Sequence, residues 1–154
     1  MYLFVSQFSN KIDKKGRVSL PSSYRNILPK VSKNEIILFK SLKFKAIEAC
    51  SSERIHQISE RIDALDFFSE DQEDFSTSIF SEIIPTNIDK EGRIQIPEQL
   101  KKFSNIDKEV MYIGQGHYFQ IWEPLAAIER QKKSRQRLIE KRKTLSSILT
   151  KGSK

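Results

Sequence analysis

The sequence is poor in the residues that carry redox, metal or nucleophilic chemistry. It has one cysteine, Cys50, which excludes an intrachain disulfide and a cysteine cluster for zinc. The two histidines, His56 and His117, stand far apart, and neither has a cysteine or carboxylate at a recognised ligand spacing. There is no G-x-x-x-x-G-K-[ST] phosphate loop and no G-x-S-x-G nucleophile elbow. No apolar run approaches the roughly 20 residues that a membrane span needs. The opening residues are apolar, but Ser6, Gln7 and Ser9 interrupt them and no basic segment comes first, so no signal peptide is expected. These absences predict a soluble cytoplasmic protein with no catalytic residues. They also predict no metal, no cofactor, no small-molecule substrate and no membrane partner.

What is abundant is positive charge. The formal net charge of the 154 residues is +7. The stretch from Arg130 to Lys143 holds eight basic residues and one acid, Glu140, and so carries the whole of that excess. A basic balance favours polyanionic partners. The run falls on a predicted helix from Leu125 to Leu138, followed by Leu145, Ile148 and Leu149. It is either a solvated helix face or an arm that touches phosphates and adds salt-sensitive, sequence-independent affinity.

A short stretch occurs twice. Asn10 to Pro21 reads N-K-I-D-K-K-G-R-V-S-L-P, and 76 residues later Thr86 to Pro97 reads T-N-I-D-K-E-G-R-I-Q-I-P. Such a repeat indicates one small module used twice. In each copy an aspartate can accept hydrogen bonds from downstream backbone N–H groups, and a glycine supplies positive φ, so D-K-K-G-R and D-K-E-G-R read as tight turns. Val18 and Leu20, like Ile94 and Ile96, alternate with polar residues as in a half-buried strand. Pro21 and Pro97 end the ladder, and short helices follow at Ser22–Leu28 and Glu98–Phe103. Each half has fewer than about 80 residues and could not bury a large core alone.

The polar residues of these turns are the candidate site. Arg17 and Arg93 could fork onto a phosphate or a guanine edge, or they could simply pair with Asp13 and Asp89 to hold the turn. Both can be true, with each aspartate bracing its arginine. Lys14, Lys15 and Lys90 would neutralise phosphates, which fixes position and carries little sequence information. Ser19 and Gln95 are weaker candidate contacts. Gly16 and Gly92 serve the backbone shape. An arginine four residues on keeps each aspartate ionised and unsuited to general-acid work.

Elsewhere, Tyr2–Phe8, Ile36–Phe39, Phe44–Ile47, Val110–Ile113 and Tyr118–Trp122 read as strands. Ile55, Ile58, Ile62 and Leu65 recur at helical spacing, so Ser52–Leu65 reads as a helix capped by Ser51 or Ser52. The acidic, phenylalanine-containing stretch Asp66–Phe80 reads as a short bridging helix with its acids in solvent. Leu28-Pro29 should end the first helix. Trp122 is expected to pack in the core or at a subunit contact.

The doubled D-x-x-G-R-[VI]-x-[LI]-P block, the P-S-S-Y-R at Pro21–Arg25 and the G-Q-G-x-x-F-x-I-W from Gly114 together resemble the MraZ family, over about residues 1–125. The resemblance implies a mainly β fold with short helices (α+β), in which two tandem swapped-hairpin barrels of the SpoVT/AbrB type form an internal pseudo-dimer. The implied segments are residues 1–51 and 83–125 for the two domains, 52–82 for a helical acidic linker, and 126–154 for a basic helix and tail. The family's D-x-x-x-R motif lands on Asp13 with Arg17 and on Asp89 with Arg93. The implied function is sequence-specific regulation of transcription. The partners are double-stranded DNA, at repeated sites upstream of its own gene in a division and cell-wall cluster, and further copies of itself in a ring. The implied place is the cytoplasm and nucleoid. The chain departs from the family pattern in its acidic linker and its long basic tail. The alternative is an antitoxin-like scaffold that binds a protein partner and touches DNA mainly non-specifically.

Overall fold

The computed structural model describes residues 2–31 and 34–152. The chain divides into two compact units, Met1–Glu123 and Pro124–Lys154. The first contains β1 (Gln7–Lys11), β2 (Arg17–Ser19), α1 (Ser22–Val31), β3 (Glu35–Lys40), β4 (Ile47–Cys50), α2 (Ser52–Asp63), α3 (Glu70–Phe80), β5 (Ile84–Asn87), β6 (Arg93–Gln95), α4 (Glu98–Ser104), β7 (Glu109–Gly114) and β8 (Phe119–Trp122). The second contains α5 (Pro124–Glu140) and α6 (Leu145–Gly152). The fold is mixed α and β. The connection and the tail coil into helices of 12, 11 and 17 residues, so the chain is richer in helix than a mainly β reading expects.

Six strands form one antiparallel sheet in the order β1-β7-β8-β4-β3-β5, and β2 pairs with β6 in a separate ribbon. The first strand of each half lies against the third strand of the other: β1 on β7, and β5 on β3. The ribbon pairs Val18 with Ile94, and the centre of the sheet pairs Ile47 with Ile121. Each pair joins equivalent positions of the two copies. Local sequence gives each copy its strands, but the strands are completed across the halves.

The core follows from strand alternation. Val18, Leu20, Ile94 and Ile96 are buried while Ser19 and Gln95 face solvent. On β3, Ile36 and Leu38 enter a cluster with Tyr24, Tyr112, Phe119 and Ile121. Ile37 and Phe39 point the other way, into a cluster with Cys50, Ile62 and Ile79 that α2 and α3 help to form. Burial pushes the Cys50 thiol up to about 12, so it behaves as a small apolar side chain. The Tyr24 ring centroid lies 4.8 Å from that of Phe119 and 5.3 Å from that of Phe4. The Tyr24 and Tyr112 hydroxyls donate to the carbonyls of Ser6 (2.9 Å) and Ser19 (2.8 Å), which satisfies two polar groups inside an apolar cluster. Trp122 is a core residue. Its Nε1 donates to Gln120 Oε1 at 2.9 Å and its ring packs by Phe44.

Several boundaries differ from the sequence reading, each for a local reason. Ser6 has φ +72°, so the first strand breaks into a lone bridge at Phe4 with Gly116 and a strand that starts at Gln7. Ser41 Oγ accepts the N–H groups of Lys43 and Phe44, which holds those residues in a bend and starts β4 at Ile47. The first helix passes Pro29 and ends at Val31, giving up the one bond that proline cannot make. Ser51 is the N-cap of α2, accepting from Arg54 N–H at 3.1 Å. The acids of α3 are exposed.

Gly114 lies where the backbone of Phe4 crosses β7. A Cβ there would sit 2.5 Å from the Phe4 carbonyl oxygen. Gly114→Ala is therefore expected to lower stability by about 1–3 kcal/mol, seen as a lower urea midpoint at unchanged slope.

Candidate nucleic-acid interface

The two turns are built alike. Asp13 Oδ1 accepts the N–H groups of Lys15 and Arg17, each at 2.9 Å, and its Oδ2 accepts Arg17 Nε at 2.8 Å. Asp89 Oδ1 accepts the N–H groups of Glu91 and Arg93 at 2.9 Å, and its Oδ2 accepts Arg93 Nε at 3.0 Å. The backbone closes each turn with matching bonds, Asp13 N–H to Arg17 O and Asp89 N–H to Arg93 O, both 2.9 Å. Gly16 and Gly92 sit at φ +84° and +77°, where a side chain is strained.

The turns also hold each other. Ile96 N–H donates to Gly16 O at 2.7 Å, and Leu20 N–H donates to Gly92 O at 2.9 Å. Gln95 Nε2 donates to Lys15 O at 3.1 Å. A Cβ on Gly16 would lie 2.6 Å from the Ile96 carbonyl oxygen, so shape and contact both require glycine there. In the antiparallel ribbon Arg17 faces Gln95 and Ser19 faces Arg93. The two arginines thus leave opposite ends of one ribbon, two ladder positions apart, roughly 7 Å along the strand axis.

Each aspartate does two jobs. It gathers backbone N–H groups and it holds one edge of an arginine. Binding through Nε leaves the terminal guanidinium nitrogens of Arg17 for another acceptor. Arg17 and Asp13 side chains are 36% and 39% exposed, so a ligand can reach them. The Asp13 carboxyl is held below its ordinary value, first by the Arg17 backbone N–H and then by the Arg17 side chain and the Lys15 N–H, against a smaller opposing effect of burial than the leading bond. Asp89 is lowered in the same way, led by the Arg93 backbone N–H.

Lys14, Lys15 and Lys90 are exposed beside the turns. Ser19 is exposed, and its carbonyl accepts Asn10 Nδ2 and the Tyr112 hydroxyl, each at 2.8 Å. Arg25 was not among the candidates read from sequence. Its guanidinium packs on Gly92, where a Cβ would collide with it, and its buried Nε has no hydrogen-bond partner. It comes from α1 of the first half to the turn of the second, a pairing that no local pattern announces. In the second unit, Lys132, Lys133, Arg135 and Arg137 are exposed on α5. Among the described residues, no group of three or more His, Cys, Asp or Glu could hold a metal ion, and no helix is long and apolar enough to cross a membrane.

The causes of the lowered carboxyls give a test. A depressed aspartate stabilises its turn fully above the ordinary value of 3.8, and that contribution is lost as pH falls through the lowered folded value. A carboxyl NMR titration should place the Asp13 and Asp89 midpoints below 3.8. Arg17→Ala should raise the Asp13 midpoint only in part, because the backbone N–H at position 17 remains. A full return to the ordinary value would mean that the guanidinium, not the backbone, governs the carboxylate.

Residues 79–145 match a family model described as "MraZ protein, putative antitoxin-like". The chain is 45% identical over 124 residues to the transcriptional regulator MraZ of Pelagibacter ubique (strain HTCC1062), covering 80% of each chain. It is 41% identical over 125 residues to the transcriptional regulator MraZ of Rickettsia bellii (strain OSU 85-389), covering 80% of this chain and 83% of that one. With the transcriptional regulator MraZ of Rickettsia canadensis (strain McKiel) the identity is 37% over 146 residues, covering 94% and 97%. With this identity along most of its length, and with the doubled Asp/Gly/Arg turn intact in both halves, the chain belongs to the MraZ family.

Proposed function

We propose that the chain is a transcriptional regulator that binds double-stranded DNA through its two Asp/Gly/Arg turns. The observation that carries this reading is the pair of matched turns, each presenting an arginine held at Nε by an aspartate. Arg17 and Arg93 contact phosphates or guanine edges with their remaining nitrogens. Lys14, Lys15 and Lys90 neutralise the DNA backbone. Ser19 and Gln95 make secondary contacts. Asp13, Asp89, Gly16 and Gly92 keep the turns in shape. The names of the relatives support the regulatory role.

The cross-half pairing of β1 with β7 and β5 with β3 supports the reading of residues 1–51 and 83–125 as SpoVT/AbrB-like domains that exchange strands to form a pseudo-dimer. Residues 52–82 join them and 126–154 form a basic appendage. One pair of turns would bind weakly. Several copies in a closed ring would raise avidity only on DNA that repeats at matching spacing, which ties the oligomer to repeated sites upstream of its own gene and to a place on the nucleoid.

Fluorescence anisotropy on duplex DNA from upstream of the gene, against a shuffled duplex at several salt concentrations, tests the reading. Wild type is expected to keep its preference at physiological salt. Arg17→Ala combined with Arg93→Ala should remove that preference while light scattering shows an unchanged assembly. Wild-type preference in the double variant would overturn the assignment. Equal binding to both duplexes that fades with salt would move the binding to the basic appendage.

A further inference from the structure

The two turns match in backbone and differ in charge. Lys15 in the first turn stands where the second has Glu91. The four charged residues of the first turn, Asp13, Lys14, Lys15 and Arg17, carry a net +2, while Asp89, Lys90, Glu91 and Arg93 sum to zero. Geometry sharpens the difference. Arg17 pairs with Asp13 alone among the described residues. Arg93 is held twice: Nε on Asp89 at 3.0 Å and a terminal nitrogen on Glu91 at 2.6 Å. One of the two terminal nitrogens that a phosphate or a guanine edge would take together is therefore occupied in the second turn, while among the described residues both are available in the first.

We infer that Glu91 holds the second turn in reserve, so that Arg93 engages DNA with both terminal nitrogens only by exchanging the Glu91 carboxylate for an acceptor on the nucleic acid, and the first turn supplies most of the affinity. This inference rests on the reading of the two turns as DNA contacts. Glu91 is 69% exposed, and pairs of that kind are weak enough to be displaced. A weak competitor is what a discriminating contact needs. A phosphate presented at the right place wins the exchange, whereas one slightly out of place does not repay the loss of the ion pair together with the repulsion between Glu91 and the DNA backbone. Glu91 thus subtracts more from poor sites than from good ones. Arg25, whose guanidinium packs on Gly92, leaves positive charge beside the second turn, so releasing Arg93 does not leave an isolated acidic loop.

The two turns serve as each other's control. Full-length wild type, Glu91→Gln, Glu91→Lys, Arg17→Ala, Arg93→Ala, Glu91→Gln/Arg93→Ala and Arg17→Ala/Arg93→Ala would be compared by anisotropy on the upstream duplex and on its shuffled version. Glu91→Gln keeps the position 91 N–H that donates to Asp89, so its urea midpoint should stay at the wild-type value. It should bind the upstream duplex about twofold to fivefold more tightly, the range of one exposed ion pair, and gain more than that on the shuffled duplex. Glu91→Lys should also steepen the dependence of log Kd on log salt, by about 0.9 for each phosphate newly engaged. Arg17→Ala should cost more than Arg93→Ala in the wild-type background. In the Glu91→Gln background the loss from Arg93→Ala should grow, because the freed arginine then contributes more.

Unchanged or weaker binding by Glu91→Gln would overturn the inference, and so would an Arg93→Ala loss that is the same in both backgrounds. If the Arg17→Ala/Arg93→Ala variant keeps the preference for the upstream duplex, the turns are not the contact and the inference falls with that reading. If that variant loses the preference while Glu91→Gln changes nothing, the contact stands and only the role of Glu91 is lost.

Discussion

Two hydrogen bonds between the turns govern the geometry of everything around them. Leu20 and Ile96 follow the turns in their own halves, yet each gives its N–H to a glycine carbonyl in the opposite turn. That exchange sets the three-residue register of β2 with β6. The register puts Val18 and Ile94 face to face in the core and leaves Ser19 and Gln95 outside. It also fixes where Arg17 and Arg93 emerge. A Cβ on Gly16 would meet the Ile96 carbonyl oxygen, so that glycine bears on the ribbon as well as on its own turn, whereas a Cβ on Gly92 would meet the Arg25 guanidinium.

The aspartates illustrate how magnitude separates two readings of the same contact. An exposed Asp–Arg pair contributes little to stability by itself. Asp13 and Asp89, however, each accept two backbone N–H groups as well, and the backbone bond leads among the causes of their lowered pKa. Their main structural partner is therefore the peptide backbone. The arginine is a passenger on a turn that is already closed, and its aspartate takes only Nε, so that both outer nitrogens of Arg17 stay clear of the carboxylate while Glu91 takes one of those of Arg93. Holding the turn and presenting the arginine are compatible roles because they use different atoms of the same carboxylate.

Much of this was legible in the residues. The doubled D-x-x-G-R block marked both turns, and the alternation of Val18 with Leu20 and of Ile94 with Ile96 marked the ribbon strands. Ile55, Ile58 and Ile62 marked α2. What escaped was non-local or atomic in scale. The positive φ of Ser6 and the bends that Ser41 Oγ imposes on Lys43 and Phe44 come from single side chains, and periodicity averages over such details. Arg25 reaches Gly92 across the two halves, and nothing near residue 25 in the sequence signals it. Glu91 was visible as a letter, but its hold on Arg93 is a matter of rotamer and distance.

The crossed pairing of the strands has a consequence for how the chain comes into being. When a ribosome has released residues 1–51, β1 has no neighbour for its ladder, because that neighbour is β7 at Glu109–Gly114. The ribbon strand β2 likewise waits for β6. The first half leaves the exit tunnel with its pairing edges open, and closure comes only once β7 has been made. Contacts so distant along the chain make folding slow relative to local helix formation, and open strand edges invite pairing with other nascent chains. The acidic exposed face of α3, made between the two halves, puts like charges on neighbouring nascent chains during that interval.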